Sequence, residues 1–77
     1  MIEPLSRVLR PNTIKGLQAL QDLGGAASVS EIAVRAGIKP AHSVREAFMA
    51  DLDAAAARGF QLLDDGQGGW RLRIDAR

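Results

Sequence analysis

Apolar residues recur along this chain at two different periods, and the switch between them divides it. Ile14, Leu17, Leu20 and Leu23 step by three along one broad face, with Lys15, Gln18 and Asp22 opposite. That is the stripe of a helix burying one side. Gly24-Gly25 ends it, and Asn12 or Thr13, just after Pro11, is the expected N-cap. A second helical stripe, Val29, Ile32, Ala33 and Ala36, follows Ser28. Ser28 with Glu31 three residues on has the spacing of a capping box, and Gly37 suits a left-handed C-terminal position. After the turn Gly37-Ile38-Lys39-Pro40, residues 41–58 read as one long helix. At 100° per residue, Val44, Ala47, Phe48, Leu52 and Ala55 cluster on one side. His42, Arg45, Glu46, Met49 and Asp53 cluster on the other.

Beyond Gly59 the period falls to two. Trp70, Leu72 and Ile74 share one strand face, Arg71 and Arg73 the other, and residues 60–63 form the partner strand. Asp65 and the run Gly66-Gln67-Gly68-Gly69 make the connection. At the other end, "EPLSRVLR" carries Leu5, Val8 and Leu9 at helical spacing, a short N-terminal helical arm. The expected fold is mainly α with a small β-hairpin: a three-helix core plus a C-terminal two-stranded wing. Residues 1–11 form the arm and residues 12–77 the domain.

Composition narrows the chemistry. Seventy-seven residues make one domain near the lower size limit for folding without staples. With no cysteine and one histidine, neither a disulfide framework nor a metal site is expected. No apolar run approaches the roughly 20 residues of a membrane span, and Met1 opens no signal-peptide pattern. A soluble, cytoplasmic protein that avoids membranes is the expectation. Net charge is only +1, so the placement of charge matters more than its total. The glycine-rich tetrapeptide precedes a strand, not a helix, and so fits no phosphate-cradling motif. No nucleophile–base arrangement can be assembled around His42. Neither enzymatic activity, nor a cofactor, nor a small-molecule ligand is implied. Asp51 is the odd residue, because the helical projection puts it among Val44, Phe48 and Ala55. A carboxylate there must be bonded, to Arg58, to a capping amide or to another basic residue.

Two stretches add topology. In "EIAVRAGI", Ala33 leaves room where two helices cross at a sharp turn, and Gly37 lets the backbone turn left-handed. In "ARGFQLL" and "GGWRL", a glycine ends a helix and a glycine–aromatic–Arg–Leu strand returns. With these stretches in this order, residues 13–72 resemble winged helix-turn-helix transcriptional regulators. The likeness, which includes "GLQALQDLGGAASVSEIAVRAGIKP", is closest to the N-terminal DNA-binding domain of IclR-type regulators and extends to the broader MarR-like group. Residues 40–59 run about one turn longer than that pattern, and nothing corresponds to the large ligand-binding domain of IclR-type regulators.

The resemblance implies a small regulator of transcription that binds duplex DNA with its third helix in the major groove. His42, Ser43, Arg45 and Glu46 would reach bases or phosphates, with Lys39 at the turn. Arg35 would hold a phosphate beside the groove, while Gln67 at the wing tip and Arg71 on its outer face are the wing's contacts. Each has an ordinary alternative. Glu46 and Asp53 suit a solvated face, and Arg71 and Arg73 can pair with Asp64 and Asp65 across the hairpin. Ile2, Leu5, Val8 and Leu9 either cover the core or pair with a second copy, making a homodimer that would match two half-sites. Near-neutral charge and exposed Met49, Ala50 and Ala57 support another reading. In it the chain is a winged-helix protein-interaction module, an assembly subunit or small inhibitor with a protein partner and no DNA.

Overall fold

A computed structural model describes residues 9–74. Its order is α1 (Pro11–Asp22), β1 (Ala26–Ser28), α2 (Val29–Ala36), α3 (His42–Ala50), α4 (Leu52–Ala57), β2 (Phe60–Asp64) and β3 (Gly69–Ile74). The fold is mixed α/β, with four helices and one antiparallel sheet of order β1-β3-β2. Among the described residues, no helix is long and apolar enough to cross a membrane.

Helix α1 lies against both α2 and α3, and those two pack on each other. The apolar stripes meet there. Leu17, Leu20, Ile32, Ala33, Val44 and Phe48 are all buried, and the sheet closes the cluster with Leu62 and Trp70. Trp70 meets Phe48 edge to face at 5.2 Å, the arrangement that aromatic quadrupoles favour. Gly16 of α1 faces the Phe48 ring of α3. A Cβ built there would sit 2.6 Å from Phe48 Cε1, so only glycine lets the ring occupy that place.

Several local expectations hold. Ser28 and Glu31 form the reciprocal capping box, and Gly37 ends α2 at φ 72°. The crossing residue Ala33 is buried. Others need correction. The N-cap of α1 is Arg10, with Pro11 at the first helical position, rather than Asn12 or Thr13. Thr13 turns inward instead and is fully buried. The expected long helix is two helices, because Asp51 leaves helical geometry (φ −107°, ψ 14°) as its carboxylate turns onto the start of α1.

The expected two-stranded hairpin is part of a larger sheet. Residues 26–28 pair with β3, placing Ala26 opposite Arg71, Ala27 opposite Trp70 and Ser28 opposite Gly69. Two further bonds fasten the ends of this pairing: Leu72 N to Gly25 O at 2.7 Å, and Val29 N to Gly68 O at 2.8 Å. Ile74, expected on the inner strand face, is 53% exposed at the end of β3, opposite half-buried Phe60.

Candidate functional site

The chemistry-bearing residues fall into a buried junction and two exposed surfaces. The junction centres on Asp51, only 5% exposed. Its Oδ2 accepts from the Arg10 amide at 2.7 Å and lies 2.7 Å from Thr13 Oγ1, while Oδ1 takes the Arg10 guanidinium. Thr13 Oγ1 also lies 3.1 Å from Ala47 O; its single proton favours the shorter, charged acceptor. Burial alone would raise the Asp51 pKa. The Thr13 hydroxyl, the Arg10 amide and the Arg10 charge together outweigh it and hold the carboxyl below its ordinary value. Helix α1 has no side-chain cap of its own. A carboxylate 41 residues away in sequence accepts the amide of the N-cap residue Arg10 and sits at the positive end of the α1 dipole. Asp51 thus meets a capping amide and a basic residue, as its place on the apolar face required. Arg10 and Thr13 as the partners escaped sequence reasoning; Asp51 itself was the only signal.

The first exposed surface is the outer side of α3. Val44, Ala47 and Phe48 fix the inner side to the core, which leaves His42, Arg45, Glu46 and Met49 in solvent and Ser43 half-buried. The helix starts without a side-chain cap: Ser43 N and Val44 N bond to Pro40 O and Ala41 O, each at 3.0 Å. That tight entry holds Lys39, exposed in the preceding turn, next to the helix start. His42 Nε2 lies 3.5 Å from Glu46 Oε1, one turn along. An open groove of about 550 Å³ runs beside this face, lined by Arg10, Asn12, Ser43, Glu46 and Ala50 among others. Asn12, read from the sequence only as a candidate cap, also lines it.

The second surface is the β2–β3 turn and the outer face of the sheet. Asp65 Oδ1 accepts from Gln67 N at 2.7 Å and Gly69 N at 2.9 Å, and Asp64 Oδ1 accepts from Gly66 N at 2.9 Å. The Gln67 and Gly69 amides draw the Asp65 pKa below its ordinary value; slight burial opposes them and the Arg71 charge adds to them. The two aspartates therefore shape the turn. Arg71 stands opposite Leu63, Arg73 opposite Gln61, and Asp64 opposite Trp70. Neither arginine makes an ion pair with an aspartate among the described residues, so the expected cross-hairpin pairing is replaced by aspartates that bond the turn amides. Gln67 and Arg71 are exposed, and both border a shallow hollow beside β1.

The remaining expected site residues sit elsewhere. Arg35 lies on α2, bonded to Asp22 of α1 at 3.3 Å. Leu9 is buried in the core, which fits the covering reading of the arm and removes this side chain from any surface contact. Ile2, Leu5 and Val8 lie outside the described residues. Among the described residues, no group of three His, Cys, Asp or Glu side chains is placed to hold a metal ion.

No protein family, curated protein or solved structure matches the chain. Function has to be read from the geometry alone.

Proposed function

We propose that the chain is a winged-helix module that binds duplex DNA through the outer face of α3, as a regulator of transcription. The observation that carries this reading is the mounting of α3. Its inner side is locked by Val44, Ala47 and Phe48, a tight turn leads into it, and His42, Ser43, Arg45 and Lys39 lie at its exposed start. A groove-reading helix needs a rigid back, a free N-terminal half and donors for phosphates or base edges. The β2–β3 hairpin supports the reading as a wing, because its outer face offers Arg71 and Arg73 to a phosphate backbone, neither in an ion pair among the described residues. Binding of this kind uses no catalytic residue.

Fluorescence anisotropy with a mixed-sequence duplex at two salt concentrations tests it. Affinity is expected to fall steeply as salt rises, because each neutralised phosphate releases counterions. Arg45→Ala, on an exposed face, should weaken binding by about 1–3 kcal/mol without altering the fold. Absence of salt-sensitive binding at low ionic strength would rule the reading out.

A second reading is supported by Glu46 in the middle of the same face and by Met49, 51% exposed beside it. A negative charge and a flexible apolar side chain suit a protein partner better than a phosphate backbone. On that reading α3 docks a protein, and the anisotropy experiment returns no binding at any salt concentration.

A further inference from the structure

The most exposed large apolar side chain among the described residues is neither on α3 nor on the wing. It is Val34, 83% exposed, on the side of α2 opposite buried Ile32 and Ala33. A lone exposed valine is unremarkable on a soluble domain. This one stands between two hollows with largely apolar walls. One, of about 410 Å³, is bordered by Leu23 just past the end of α1; the other, of about 300 Å³, by Ile38 and Ala41 of the following turn. The face therefore carries both a projecting side chain and recesses of the kind that receive one.

Its charges are arranged in the same way. Glu31 and Arg35 lie one turn apart beside Val34. Glu31 Oε1 accepts from the Ser28 amide, and Oε2 makes no bond among the described residues. Arg35 holds Asp22 through Nε and Nη2, leaving Nη1 over among the described residues. Each group satisfies its own fold with one end and presents the other outward.

We propose that this face of α2 joins two copies of the chain about a two-fold axis. In an antiparallel pairing of the two α2 helices, Glu31 of each copy faces Arg35 of the other. Val34 of each enters a hollow of the other. A two-fold contact requires a patch that complements itself, and a knob beside a hollow with an acid one turn from a base meets that condition. An unrelated partner would have no need of it. The contact is one short helix face on each side, so association belongs in the micromolar range. The inference is independent of DNA binding and assigns self-association to a different surface from the N-terminal arm.

Sedimentation equilibrium of the full chain without DNA, from low to high micromolar concentration, tests it. The apparent mass should rise with concentration to twice that of one chain. Val34→Glu and Arg35→Glu should each raise the dissociation constant about tenfold or more. Both side chains are exposed, so the far-ultraviolet circular dichroism of the variants should match the parent. A parent chain that stays monomeric at the highest concentration overturns the proposal. So does a dimer that survives Val34→Glu, since its interface then lies elsewhere, or one indifferent to Arg35→Glu, since the charge complementarity is then absent.

Discussion

Asp51 and Asp65, two of the aspartates that accept backbone amides, do so in opposite surroundings. Asp51 is buried and collects an amide, a hydroxyl and a guanidinium from a segment 41 and 38 positions away. Asp65 is exposed and collects amides only two and four positions along its own turn. Both carboxyls are held below their ordinary pKa, and the physical cause in each is donated hydrogen bonds. The difference lies in what depends on them. Asp51 joins α1 to the α3–α4 junction, so the tertiary structure rests on it. Asp65 shapes a loop that water could solvate almost as well. Hydrogen bonds of the same kind therefore give global stability in one place and only a local turn in the other.

The largest expected effect comes from removing the buried member. Asp51→Ala takes the charged acceptor from the Arg10 amide and guanidinium and leaves the Thr13 hydroxyl only Ala47 O, and should cost about 2–3 kcal/mol. Against a total of roughly 4–12 kcal/mol for a chain this size, urea unfolding should show a much lower midpoint. Gly16→Ala comes next and separates packing from polar bonding at the same helix pair. Helix propensity favours alanine by about 1 kcal/mol, but forcing a methyl into the Phe48 ring costs about 1–3 kcal/mol. A net loss in thermal midpoint is expected, and a gain would show that the ring yields easily.

Acid titration comes third. A carboxyl with a depressed folded pKa stabilises the fold above its unfolded value and loses that contribution as pH falls through the folded one. Stability should therefore decline as pH drops below the ordinary aspartate value of 3.8. Asp51→Asn should flatten that decline when unfolding is followed by circular dichroism across pH. The smallest effect is expected from Asp65→Ala. It should leave the unfolding midpoint within about 0.5 kcal/mol of the parent while broadening the Gln67 and Gly69 amide resonances. A large stability loss there would collapse the distinction between the two aspartates.

Much of the helical framework was legible because each signal was local. The Ser28–Glu31 box, the left-handed Gly37 and the buried stripes of α1, α2 and α3 need only neighbours along the chain. What escaped depended on distant partners. β1 is three small residues with no alternation to betray a strand, and it exists only because β3 offers it a ladder. The break at Asp51 was hidden by Ala55, which stays buried beyond it, so the helical period runs on without a visible slip. Thr13 looked like a cap because threonine often is one; a carboxylate at the α3–α4 junction drew it inward. The exposed face of α3 was readable for the complementary reason, since its polar residues follow from the helical period once the buried side is known.

The fastenings of β1 have a mechanical consequence. Gly68, in the turn ahead of β3, accepts the amide of Val29, and Val29 is the first residue of α2. At the far end of the same three-residue strand, Gly25 accepts the amide of Leu72. The hairpin is thus riveted at both ends to the segment that launches α2, and it cannot swing without dragging that helix start along. A load applied at Gln67 has a short path to the base of α2, through the Val29–Gly68 bond and the β1–β3 ladder beside it.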